Sequence, residues 1–241
     1  MAGDDTTPEG EQVNIYGNHV GSWNFAATAY LNRWKVKIYY EHYFDDHSQM
    51  FFQYGRWKDG HIGLEITFPK NRFIDTFVYE GLGTKDQTGP MLYDSFWGEF
   101  EEQISAKDNY YNHYLYQGWQ HWGMGIGNPL LPGPIYNKNG QITFISNRVL
   151  AHHIGFCGSP CQSLSYRMLL SYSRHWGTYD NPLNEIKKQF NSLFEVTYAP
   201  QQLKGWSFTV SGAMDRGSLL GNNYGGMLVI RKQGIIKSGN K

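Results

Sequence analysis

The chain is 241 residues long and carries 21 Lys and Arg against 21 Asp and Glu, so no global field draws it to nucleic acid or to an anionic surface. Aromatic residues make up 17% of it, the same share as charged ones, a mixture that excludes a disordered chain and a helical bundle. The longest unbroken apolar run is Met227 to Ile230, far short of the ~20 residues of a membrane-spanning helix; a transmembrane β-barrel stays open, because its strands signal weakly.

Residues 1–11 read as a polar tail. Met1 to Gly10 has no apolar segment and is not a signal peptide, so the expectation is a cytosolic chain or a piece of a longer one. From there period-two alternation dominates. Val36, Ile38, Tyr40, His42 and Phe44 oppose Lys35, Lys37, Tyr39, Glu41 and Tyr43. Ile62, Leu64, Ile66 and Phe68 oppose His61, Gly63, Glu65 and Thr67. The same pattern recurs at 163–173, 189–198 and 206–211. Such strands have one apolar and one polar face. They are expected at 12–31, 34–44, 61–68, 71–81, 141–156, 162–175, 187–199, 204–214 and 224–233, giving one β-domain over 12–234 and a tail at 235–241.

The connections alternate in length. Those at 32–33, 69–71, 158–161 and 200–203 are short; those at 45–60, 82–140 and 176–186 are long, and 215–223 is intermediate. In an up-and-down sheet alternate connections fall at opposite ends, so short turns collect at one end and long loops at the other. Outer-membrane barrels have that asymmetry, with short periplasmic turns and long extracellular loops. The expected fold is therefore all-β: an antiparallel up-and-down transmembrane β-barrel, or the C-terminal part of one. A soluble sandwich is the alternative. Bacterial single-chain barrels have even strand numbers, so nine strands imply a missing N-terminal barrel segment or a strand hidden in 82–140.

Loop 82–140 is where chemistry is expected, since long loops in compact domains are usually functional. Asp108, Asn109, Tyr110, Tyr111 and His113, then Trp119, His121, Trp122 and Asn128, combine rings with planar polar groups. Rings stack on the apolar faces of sugars while amides, carboxylates and imidazoles take the hydroxyls. For any one of these residues, packing of the loop into the barrel mouth is an equal alternative. Gly123 to Gly127 is glycine-rich without dinucleotide spacing. His152 and His153 are adjacent in a strand and face opposite ways. His113, His121 and Asp108 could meet on a metal, though no motif supports it, and carboxylates at 94–108 could hold a glycosidase pair. Neither is favoured, so neither catalyst, cofactor nor metal is expected. Cys157 and Cys161 flank Gly-Ser-Pro; a bridge across a hairpin turn and two free thiols are both open.

The sequence resembles the capsule assembly protein Wzi family of outer-membrane β-barrels. The resemblance rests on Lys85 to Pro90, Asp108 to Asn112 with Gly118 to Pro129, Asn147-Arg148, Ala151 to Gly155, Trp176 to Asp180 and Asp215 to Leu220. It runs over about residues 14 to 234. The resemblance implies a C-terminal half of a longer chain in the outer membrane of a Gram-negative bacterium, acting as a lectin that anchors capsular or extracellular polysaccharide. Its partners would be that polysaccharide and outer-membrane lipid. The alternatives are a channel or transporter, and a soluble carbohydrate-binding or glycan-cleaving β-domain.

Overall fold

The computed structural model describes residues 21–44, 59–71, 73–85, 109–112 and 119–234. Nine strands form one antiparallel sheet: β1 (Gly21–Leu31), β2 (Trp34–Phe44), β3 (Gly60–Thr67), β4 (Thr76–Gly83), β7 (Val149–Cys161), β8 (Leu164–Gly177), β9 (Pro182–Tyr198), β10 (Trp206–Gly217) and β11 (Asn223–Lys232). Two short strands, β5 (Gln120–His121) and β6 (Met124–Gly125), pair separately inside the long loop. Each strand of the large sheet lies beside its predecessor, so the expected all-β, up-and-down architecture is what the chain adopts. β1 and β11 stand at the two edges and do not pair with each other.

Over most of the sheet the more buried face is mainly polar and the more exposed face mainly apolar. Along the register, Phe25, Tyr40, Ile62, Gly81, His152, Tyr172 and Phe190 fall in one outward row. Phe194 and Val210 on the same face are 51% and 61% exposed. Ser173, Gln189 and Ser211, on the opposite face, are almost completely buried. A soluble sandwich buries its apolar faces; this sheet turns them outward.

Hydrogen bonds knit the inward face across strands. Tyr39, Gly63 and Glu80 are register partners on β2, β3 and β4. Gly63 has no side chain, so the Tyr39 ring passes over it and its hydroxyl donates to Glu80 Oε1. The His61 ring lies 3.3 Å from Glu41 Oε2 and 3.6 Å from Glu80 Oε1. Arg167 pairs with Glu195 at 3.4 Å, and Ser211 donates to the same carboxylate. Asn191 donates to Asp215 at 2.7 Å. Opposite charges and hydroxyl pairs at neighbouring register positions each add a few tenths to 1 kcal/mol.

Several expected boundaries move. Residues 12–20 lie outside the described set. Residues 141–148 are loop and not strand, because their backbone is held by side chains: Asn137 donates to Gln141 O and Thr143 O, both at 2.7 Å. The tight turn expected at 158–161 is strand. β7 runs through it with a register shift and turns at 162–163. The connection expected over 176–186 shrinks to 178–181, because β9 starts at Pro182. The connection expected at 69–71 widens to 68–75, capped by Asn71 Oδ1, which accepts from Phe73 N and Ile74 N. The length alternation is therefore weaker than the sequence suggests. The two longest connections, 45–59 and 84–148, still fall at the same end.

Candidate functional site

The long loop is fastened against the sheet at that end. Leu131 from the loop packs with Leu82, Val149 and Ala151 from β4 and β7, and Tyr43, Tyr111 and Leu130 close over them. Phe144, also from the loop, is buried, its ring stacked on Tyr111 at 4.9 Å. This small apolar core belongs to the loop end, not to the sheet as a whole.

Several sugar-binding candidates serve as the frame of this plug. Asn109 Oδ1 accepts from Asn112 Nδ2 at 3.0 Å and from Asn147 Nδ2 at 2.6 Å, while its Nδ2 donates to Asp180 at 3.3 Å. Tyr110 is buried and its hydroxyl donates to Asp59 Oδ2 at 3.0 Å. Tyr111 stands at φ 66° with its hydroxyl over Gly127. Asn128 caps the turn after it, its Oδ1 accepting from Leu130 N at 2.9 Å. Trp119 is half-buried, and its carbonyl accepts from Ile126 N. Asp108 and His113 lie outside the described residues, as do the carboxylates at 94–102.

His121 and Trp122 are placed differently. β5 and β6 form a hairpin whose two turn residues are Trp122 at φ 52° and Gly123 at φ 78°. Two positive φ angles make a turn of type I′, which favours Asn-Gly and disfavours bulky residues at its first position. Gln120 Oε1 accepts from Gly123 N at 2.7 Å and Gly123 O accepts from Ile135 N at 2.8 Å, so the turn is pinned to the 3-10 turn Pro134–Tyr136. Trp122 is 84% exposed and meets the His121 ring edge-on at 6.2 Å. A tryptophan held in the left-handed region with its ring in solvent is strain of the kind found at ligand sites.

Below the loop lies a cleft of about 290 Å³. Its floor is the inward face of β8 to β10 with Ser173, His175, Gln189, Asn191 and Asp215, and its roof includes Pro129 and Tyr136. Hydroxyl, imidazole, amide and carboxylate groups beside a tyrosine ring are sugar-compatible chemistry. Sequence reasoning missed this wall because each residue sits in the polar phase of a different strand; only the register joins them. His153 also points inward and meets Ser171 Oγ at 2.6 Å, whereas His152 faces outward against the Tyr79 hydroxyl at 2.8 Å. Among the described residues no group of three or more His, Cys, Asp or Glu side chains is arranged to hold a metal ion. Cys157 and Cys161 are free.

The fold and this loop define an antiparallel up-and-down sheet of nine strands with a long loop packed against one end. No family model, curated protein or solved structure matches the chain.

Proposed function

We propose that the chain is the loop-bearing part of an outer-membrane β-barrel that holds capsular or extracellular polysaccharide at the cell surface without chemical turnover. The outward apolar face carries the membrane reading: large side chains such as Phe194, Val210, Leu228 and Ile230 are exposed there, and a lipid-facing band is the environment in which that costs nothing. Collection of the long loops at one end supports an extracellular face. The strained, exposed Trp122, whose turn is bonded to the Pro134–Tyr136 turn that lines the cleft, supports glycan contact, and the resemblance to the Wzi family supplies the polymer class.

The test is binding of purified capsular polysaccharide to the folded protein, with Trp122→Ala against Trp119→Ala. Loss of one stacking ring costs about 1 kcal/mol, so Trp122→Ala should weaken binding about fivefold. Trp119→Ala acts through loop packing and should lower stability as well. Unchanged affinity in Trp122→Ala would remove the hairpin from the site. In cells, deletion of the gene should release polymer to the medium with total synthesis unchanged; full retention would sink the anchoring role.

A further inference from the structure

The outward face is not apolar throughout. At its loop end Arg174 on β8 and Lys188 on β9 are register partners. They share the face of Tyr172 and Phe190, which are partners one step nearer the sheet centre. Arg216 follows on β10, opposite Phe190. On the other side, the backbone groups of Arg148 and Trp176 bond across β7 and β8. The Trp176 ring lies beneath two cations, Lys85 at 5.0 Å and Arg174 at 5.1 Å. Arg174, Lys188 and Arg216 thus cross the outer surface of adjacent strands above the apolar band, with Lys85 and Arg148 beside them at the loop end.

Nothing described balances them. Like charges directly opposite in a sheet destabilise it, yet Arg174 and Lys188 stand so. None of the five takes part in an ion pair among the described residues. The strand carboxylates Glu41, Glu65, Glu80, Glu195 and Asp215 lie on the inward face, where their partners are. Glu185 is taken by Lys187. The Arg148 guanidinium lies over the Tyr179 ring at 3.9 Å, and its buried Nε has no hydrogen-bond acceptor. A buried charged donor without an acceptor is costly; the Tyr179 ring offsets part of that cost, and the exposed cations of the row are Arg174, Lys188 and Arg216.

We infer that this row binds the phosphate groups of outer-leaflet lipid headgroups, with the acyl chains lying along the apolar face beneath it. The inference rests on the membrane reading above. Arginine suits phosphate because its planar fork donates two parallel hydrogen bonds. Continuity with the apolar band selects a lipid over a free anion: a headgroup seated on Arg174 and Lys188 leaves its chains against Tyr172, Phe190 and Met214. The row would also fix the depth of the strands in the bilayer.

The test uses the full chain folded into phosphatidylcholine vesicles with and without a minor fraction of a phosphomonoester lipid. Phosphomonoester lipid retained per protein after detergent extraction is compared for the wild type, the double variant Arg174→Gln with Lys188→Gln, and Lys232→Gln at the turn end. The double variant should retain less by about tenfold or more, since each surface cation contributes measurably to anionic lipid binding. Lys232→Gln should behave as the wild type. In pure phosphatidylcholine the double variant should unfold at a higher temperature, because its cross-strand repulsion is gone; the phosphomonoester should then raise only the wild type. Equal retention, or no lipid-dependent difference in unfolding, overturns the inference. Inorganic phosphate that protects the wild type as well as the lipid does makes the row a simple anion site and overturns the lipid assignment. Failure of the wild type to insert into either vesicle defeats the membrane reading itself and is read separately, from flotation.

Discussion

The Asn112 side chain pairs with the Phe144 backbone as a neighbouring strand would. Asn112 Nδ2 donates to Phe144 O and Asn112 Oδ1 accepts from Phe144 N, both at 2.8 Å. One amide side chain thereby supplies both halves of a ladder rung to a residue that is otherwise buried in the loop. Asn112→Ala leaves both backbone groups without that partner, at a cost of about 1–3 kcal/mol. Asn112→Asp keeps the acceptor but turns a charged oxygen on Phe144 O and Asn109 Oδ1, so its effect should be at least as large. The readout is protease cleavage and hydrogen exchange across 119–148, which should rise above the wild type in both variants. Equal protection in all three would mean that the apolar contacts of Leu131 and Phe144 hold the loop alone.

This pairing also explains why part of the chain misleads a pattern reader. The segment 141–148 alternates like a strand, with Ile142 and Phe144 against Gln141 and Thr143. Its backbone is met by Asn112 and Asn137 side chains instead of a sheet partner. Gly158 and Pro160 read as a turn, but the glycine serves close approach: a Cβ at 158 would overlap the carbonyl of Phe73, which accepts from the Tyr166 hydroxyl at 2.8 Å. The alternation of β2, β3, β8 and β9 was legible because each has one face in a uniform environment. The cleft wall was not, because Gln189, Asn191 and Asp215 look like solvated polar positions until the register places them together.

Trp122 should show a conflict between stability and binding. Its φ of 52° suits Asn at the first position of a type I′ turn. Trp122→Asn should therefore raise the unfolding midpoint, with relief of about 1 kcal/mol of backbone strain, while polysaccharide affinity falls as it does in Trp122→Ala. A destabilised Trp122→Asn would show that the ring is held by packing, and the argument from strain would fail.

The two thiols should remain separate. Cys157 and Cys161 lie four residues apart on β7. With the register shift between Gly158 and Cys161 the span is nearer three regular steps, roughly 10 Å, still beyond the ~7 Å limit between Cα atoms of a bridge. Cys161 is exposed and Cys157 half-buried, so alkylation without reductant should modify both, Cys161 first. Intact mass after oxidation with molecular oxygen should still show two free thiols. An intramolecular disulfide in folded protein would require the 158–161 segment to leave the strand.

The orientation of the sheet can be tested with one charge on each face. Phe194 lies near the middle of the outward face of β9, opposite Met168 and Gly212, and is half-exposed. Ala213 lies on the inward face of β10, opposite Leu193 and Gly225. In a bilayer, Phe194→Arg should destabilise the folded protein by about 2–4 kcal/mol, because an arginine near the midplane of a barrel meets hydrocarbon. Ala213→Arg should cost much less, since Ala213 is exposed and shares its face with Glu195 and Asp215. In a water-soluble sheet the difference vanishes: Phe194 and Ala213 are both exposed, and a charge at either is harmless. Urea titrations of both variants in phosphatidylcholine vesicles, followed by tryptophan fluorescence, separate the two cases. An effect of Phe194→Arg no larger than that of Ala213→Arg would remove the basis for the membrane reading.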